Sequence, residues 1–184
     1  MSGDARGSAD LRTLASSIAE SVRARGDDRP IVLLDGGSGA GKSTLATPLA
    51  AALGAELVRL DDVYPGWDGL EAGSEAVHTE IIPLSRWHRW DWNGSAPAER
   101  HHIDDTRPLI VEGCGALSRA ARRLATFGIW IDLDPDERRR RAIARDGDTY
   151  EPHWERWAEQ ERAFFLREHP DRLADLVLDG HRVP

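Results

Sequence analysis

The chain has 184 residues, a formal charge of -8 and a pI near 5.4; it carries one cysteine, seven tryptophans and a single lysine, Lys42. That length suits one domain, 1–184, with a sizeable core, and the acidity argues against nucleic acid as a general partner. Cys114 has no partner for an internal disulfide, the apolar runs are too short to cross a membrane, and the N-terminus lacks a signal-peptide pattern; a cytoplasmic protein with no membrane partner is expected.

Residues 1–9 are small and polar and are expected to form a disordered start. Leu11, Leu14, Ile18 and Val22 recur at helical spacing and predict an amphipathic helix over 10–25. Ile31–Leu34 is a short apolar run, which places a first strand at 31–35. It leads into Gly36-Gly37-Ser38-Gly39-Ala40-Gly41-Lys42-Ser43, then Thr44 and an Ala- and Leu-rich helix to about residue 53, closed by Gly54. Pro48 predicts a kink in that helix, because proline has no N–H to donate. A second strand reads at 56–60, and a polar, aromatic insertion spans 61–107. The insertion is expected to hold one or two helices, one carrying Val77, Ile81 and Leu84 and disturbed by Pro83.

Strands are expected at 109–111 and 128–132, with a short helix over 118–126 between them. Asp134 as cap, Pro135 in the first position and Asp136 and Glu137 in the first turn predict a helix to Asp146. A further helix over 151–168 and a last strand at 174–178 complete the chain. Strands alternating with helices predict an α/β fold on a five-stranded parallel sheet, with ligands outside the carboxyl ends of its strands.

The segment 36–43 fits GxxxxGK[ST], the Walker A pattern, in which backbone N–H groups cradle phosphates and the Ser43 hydroxyl ligates Mg²⁺. Strand, loop and helix come in the order that aims a helix N-terminus at an anion. The chain's one ammonium stands where a compact point charge must reach between two phosphates, a task a planar guanidinium does less well. ATP and Mg²⁺ are therefore the expected cofactors.

Other candidates end the predicted strands. Asp61 or Asp62 could accept a proton from a substrate hydroxyl or hold water on Mg²⁺, with Tyr64 and Trp67 just behind them. A loop cap is the competing role, and Asp61 is favoured over Asp62 for chemistry. Glu112 beside Gly113 could hold Mg²⁺ or one of its waters, or cap the next turn. Arg138, Arg141 and Arg145 share one helix face and could clamp a phosphoryl group, or pair with Asp134, Glu137 and Asp146 in solvent, as Arg139 and Arg140 are expected to do. Trp87, Trp90 and Trp92, with Arg89 and Asp91 between them, place an acid among flat aromatics, suiting a stacked ring or a polyol. Trp87 suits core packing, whereas alternation around Asp91 turns at least one of Trp90 and Trp92 to a cavity. The seven histidines show no zinc spacing.

With these residues in place, the chain resembles the uridine kinase-like branch of P-loop small-molecule kinases. Four segments carry the resemblance: Asp35–Thr44, Asp61-Asp62-Val63-Tyr64, Leu109–Gly113 and Asp134–Asp146. It implies a P-loop NTPase three-layer sandwich of strand order 2-3-1-4-5, an acceptor-site insertion over 61–107 and a lid over 135–153. It implies Asp61 as general base, Glu112 near Mg²⁺, and ATP held by Gly36 through Thr44 and Arg138. Lys42, Arg141 and Arg145 then act on the transferring group, and Asp62, Tyr64, Trp67, Arg89, Trp90, Asp91 and Trp92 line the acceptor site. The chain departs from the family in Ala142, where a further arginine is usual, and after Arg145-Asp146, where an Arg-Gly is missing.

The expected activity is transfer of the ATP γ-phosphoryl group to a hydroxyl of a small molecule, such as a nucleoside. A nucleoside monophosphate kinase is the alternative, with Arg86, Arg89, Arg100 and Arg107 for the acceptor phosphate; a non-kinase ATP-binding module is another. A GTPase switch is excluded, since the Asn-Lys-x-Asp motif needs a second lysine.

Overall fold

The computed structural model describes residues 3–183. Helix α1 (Gly3–Arg23) begins earlier than its apolar spacing predicts. Residues 3–9, expected as a disordered start, are helical: alanines 5 and 9 favour the continuation, and Thr13 bonds back to the Ala9 carbonyl. Met1 and Ser2 lie outside the described residues. Its buried stripe, Ala15, Ile18, Ala19 and Val22, packs on α2 (Lys42–Leu53). Strand β1 (Ile31–Gly36) is buried along its whole length. Helix α2 runs unbroken through Pro48 and ends on Gly54 in the left-handed conformation.

β2 (Glu56–Arg59) is followed by a single 3₁₀ turn, Leu60–Asp62. α3 (Leu70–Ala76) widens into a π turn over Val77–Ile81 before α4 (Ile82–Leu84), so the disturbance expected at Pro83 is present as an underwound turn. The rest of the insertion differs from expectation: it is an antiparallel hairpin, β3 (Arg86–Asp91) with β4 (Ala96–His102). A four-residue turn, Trp92–Ser95, joins them with Ser95 in the left-handed conformation (φ 48°), and Asp91 accepts the Asn93 N–H at 3.0 Å. A register shift between His88 and Trp90 breaks strict alternation, which hides the strand from a period-two reading. Trp87 and Trp90 thus lie in a strand.

After β5 (Leu109–Glu112) come the one-turn helix α5 (Arg119–Arg122), β6 (Phe127–Asp132) and α6 (Pro135–Asp146). Asp134 accepts from the N–H groups of Asp136 and Glu137, the cap its sequence announces. Two 3₁₀ turns lead to α7 (Trp154–Glu168), then α8 (Pro170–Leu173) and β7 (Leu176–Asp179).

The parallel sheet has the order β2-β5-β1-β6-β7. Side chains of β1 alternate between two cores: Ile31 and Leu33 face α3 and α7, while Val32 and Leu34 face α1 and α2. Each such fully buried aliphatic side chain contributes about 1.5–3 kcal/mol. With helices on both faces, function is left to the carboxyl edge, where β1, β2 and β5 end in Gly36, Arg59 and Glu112. Among the described residues, no helix is long and apolar enough to cross a membrane.

Candidate functional site

The loop between β1 and α2 is shaped by close approach. Gly39 has φ +82°, and a Cβ there would lie 2.1 Å from the Arg138 carbonyl oxygen; a Cβ on Gly37 would lie 2.0 Å from the Arg138 guanidinium. Only glycine lets α6 lie against the loop. α2 starts at Gly41 (φ 100°) with no side-chain cap, so backbone N–H groups present its positive end. Lys42 is 8% exposed and donates to the carbonyls of Gly36 (2.8 Å) and Gly37 (3.1 Å) and to Cys114 Sγ (3.3 Å). Burial works against its charge, but Cys114, Glu112, Glu161 and Asp61 outweigh it and raise the ammonium pKa.

Asp35 stands behind the loop, fully buried. It accepts backbone N–H groups from Gly36 (2.7 Å), Gly115 (3.1 Å) and Leu117 (2.8 Å), tying the loop after β5 to the end of β1. Burial outweighs these bonds and the Lys42 charge, and pushes its carboxyl up to about 6. Glu112, 2% exposed, is pushed up by burial, opposed by Lys42. Its Oε1 is buried without a hydrogen-bond partner, 3.5 Å from the Arg59 guanidinium. Such an orphaned oxygen near Ser43 and Asp61 fits a hard divalent cation, and Mg²⁺ needs only one or two carboxylates beside phosphate and water.

A cavity of about 500 Å³ opens from this loop. Ser38, Gly39, Gly41, Lys42, Ser43 and Thr44 form one end; Asp61, Tyr64, Trp67, Trp92 and Trp157 form the other; Arg145, Asp146, Thr149 and Tyr150 stand over it. Asp61 is exposed to the cavity, and its backbone carbonyl accepts Trp92 Nε1–H at 2.8 Å, which anchors the hairpin to the 3₁₀ turn after β2. Trp67 stacks on His153 at 4.1 Å and meets Trp92 at 5.0 Å, so the insertion and the segment after α6 share one aromatic wall.

Other expected site residues sit elsewhere. Asp62, its carboxyl raised by partial burial and the Asp61 charge, does not line this cavity. Tyr64 reaches the cavity with its ring, but its buried hydroxyl donates to the Cys114 carbonyl at 2.7 Å, so its polar atom is structural. Arg89 is engaged across the hairpin with Glu99 at 2.6 Å, and Asp91 caps the hairpin turn. Trp90, in β3, lines a smaller groove between hairpin and α3, whereas Trp92, two positions on and past the end of the strand, turns with the chain to the main cavity. Arg138 crosses the loop, Nη1 lying 3.3 Å from the Ser38 carbonyl. Arg145 reaches the cavity and pairs with Asp146 at 2.7 Å. Arg141 does not: it bonds Glu137 and the carbonyls of Gly180 (3.1 Å) and Val183 (2.8 Å), fastening the C-terminal turn.

Glu161, Cys114, Tyr150 and Trp157, none of them singled out from the sequence as a site residue, all border the loop or cavity. Glu161 had a legible signal: with Trp154, Trp157 and Phe164 it shares the buried stripe of α7, an acid where an apolar residue is expected.

No protein-family model matches the sequence, and no curated protein matches it. Solved structures do. A possible uridine kinase from Bacillus stearothermophilus superposes with a TM-score of 0.66 at 18% identity, over 92% of this chain and 99% of that one. A candidate fructose transport system kinase from Silicibacter sp. TM1040 gives 0.62 at 22% identity, over 89% and 98%. The chain shares their fold. That is the α/β architecture, with a five-stranded parallel sheet, that the resemblance to uridine kinase-like P-loop kinases implied.

Proposed function

We propose that the protein is an ATP- and Mg²⁺-dependent phosphotransferase that moves the γ-phosphoryl group to a hydroxyl of a small molecule. The observation that carries this reading is the single cavity joining the Lys42–Ser43 end of the glycine loop to Asp61 and an aromatic wall. Phosphoryl transfer asks the protein for positioning and charge neutralisation. Lys42 and the loop N–H groups would hold the polyphosphate, and Arg145 lies where it could neutralise charge on the transferring group. Ser43 and Glu112 would hold Mg²⁺, which when bound polarises the phosphoryl oxygens. Asp61 would accept the proton of the attacking hydroxyl, because of the two carboxylates on the cavity wall Asp146 is paired with Arg145, while Asp61 makes no ion pair among the described residues. Trp67, Trp92 and Trp157 would bind the acceptor by area and exclude water from it.

A monophosphate acceptor is less well supported. Arg86, Arg89, Arg100 and Arg107 do not line the cavity, and Arg89 and Arg107 are paired with Glu99 and Glu56. The test is ADP release over a panel of nucleosides, sugars and amino alcohols, with Asp61→Asn as control. Acceptor-dependent ADP release in the native chain, lost in Asp61→Asn with ATP affinity kept, is the expected result. An Asp61→Asn variant that turns over at the native rate would remove Asp61 from the role of base.

A further inference from the structure

Glu161, on α7, is 1% exposed, and its carboxylate is buried against Ser38 of the glycine loop, which lines the cavity. Oε1 accepts the Ser38 backbone N–H at 2.6 Å and lies 3.2 Å from Cys114 Sγ. Oε2 accepts Arg138 Nη1 at 2.8 Å. Lys42 feels the same charge. A carboxylate held by a loop N–H and a guanidinium makes the charge-assisted bonds that a phosphate oxygen makes. Ser38 lines the cavity, and Arg138 lies against it from α6.

Resting on the phosphate-binding reading above, we propose that Glu161 is a displaceable internal anion. It competes with the terminal phosphate of a polyphosphate ligand for Ser38 N–H and Arg138, and so sets the affinity for ligands long enough to reach them. A ligand too short to reach Ser38 leaves Glu161 in place; one that reaches it must expel a buried carboxylate and takes over its two donors. The exchange is not local. Trp157, one turn before Glu161 on α7, lines the acceptor end of the cavity, and Trp154, a turn earlier still, meets Tyr150 edge-on at 5.7 Å. Releasing Glu161 therefore loosens α7 where it forms the acceptor wall, which couples donor binding to acceptor binding through one helix.

Titration calorimetry with ATP, inorganic tripolyphosphate and AMP on the native chain and on Glu161→Gln tests this. Glutamine keeps the shape and an acceptor for Ser38 N–H but removes the competing charge. Loss of one charge-assisted competitor should tighten ATP and tripolyphosphate at least about tenfold and leave AMP unchanged. Unchanged or weaker triphosphate binding in Glu161→Gln overturns the proposal while the phosphate site stands. Failure of the native chain to bind either polyphosphate overturns the site itself, and the proposal with it. A measurement on the native chain covers a variant that fails to fold: saturating tripolyphosphate should speed amide hydrogen exchange in α7 around Glu161, and slower exchange there would contradict displacement.

Discussion

Asparagine in place of Asp35 removes one charge from the joint between β1 and the loop after β5 while keeping the side chain's shape. The Asp35 carboxyl is raised from an ordinary 3.8 to about 6. An acid whose pKa is higher folded than unfolded holds its proton more tightly in the native state. Between those two values the native state binds more protons, so stability falls as pH rises through the window and is flat above it. At 1.36 kcal/mol for each tenfold change in proton affinity, ionised Asp35 weakens the fold by about 3 kcal/mol above pH 6 relative to acid, of which about 2 kcal/mol falls between pH 4.5 and 7. Asp35→Asn cannot titrate. It turns an amide N–H towards one of the backbone donors, which costs a roughly pH-independent 1–3 kcal/mol. Urea unfolding of both chains from pH 4.5 to 7 separates these effects, because contributions from every other carboxylate cancel in the difference. The native chain should lose about 2 kcal/mol relative to Asp35→Asn across that range. Parallel curves would mean that Asp35 titrates normally, and that its three backbone bonds fully compensate its burial.

Two further substitutions probe the loop and its support. Gly39→Ala must place a Cβ at φ +82° and 2.1 Å from the Arg138 carbonyl, so α6 has to lift from the loop. A loss of more than about 2 kcal/mol in urea unfolding and at least about tenfold weaker ATP binding are expected, and native ATP affinity would show that the contact is dispensable. Tyr64→Phe leaves the buried Cys114 carbonyl without its 2.7 Å donor. Thermal unfolding should show about 1–2 kcal/mol of destabilisation with acceptor KM unchanged; a raised acceptor KM at native stability would return Tyr64 to the substrate.

The glycine-loop end of the cavity was legible because its geometry is local. Gly36 through Ser43, the strand before them and the helix after them are contiguous, and the glycines at 37 and 39 mark where another element must touch the backbone. Asp134 and Pro135 likewise announce α6 within four residues. The aromatic end of the cavity is assembled from distant segments, and there the sequence misleads. Arg138, Arg141 and Arg145 do share a helix face, yet Arg141 is captured by the carbonyls of Gly180 and Val183, a partner some forty positions on that helical spacing cannot reveal. The sequence alone assigns no structure to the segment after the predicted helix and leaves Arg89 and Asp91 as candidate ligand groups; in a hairpin they become a cross-strand partner and a turn cap. Asn93 and Gly94, both within that turn, were the missed clue. Glu161 was readable as an acid in an apolar stripe, but its meaning depends on Ser38 and Arg138, which only the fold brings to it.

The hairpin's contribution rests on Trp92, the residue through which it touches the rest of the site. Its indole N–H bonds the Asp61 carbonyl at 2.8 Å, and its ring lies against Trp67 and the cavity. Trp92→Phe keeps most of that wall and deletes the bond. One neutral hydrogen bond holds the backbone of Asp61 by about 0.5–1.5 kcal/mol, which sets an expected fall in kcat/KM for the acceptor of about two- to tenfold. ATP affinity should stay native, because Trp92 lies at the end of the cavity away from Lys42. Trp92→Ala removes the wall as well, and its further loss should fall on acceptor KM. Steady-state kinetics with each substrate varied separately decides the matter. Equal losses for ATP and acceptor would mean that the hairpin braces the whole cavity, whereas a loss confined to the acceptor identifies it as the element that selects what receives the phosphoryl group.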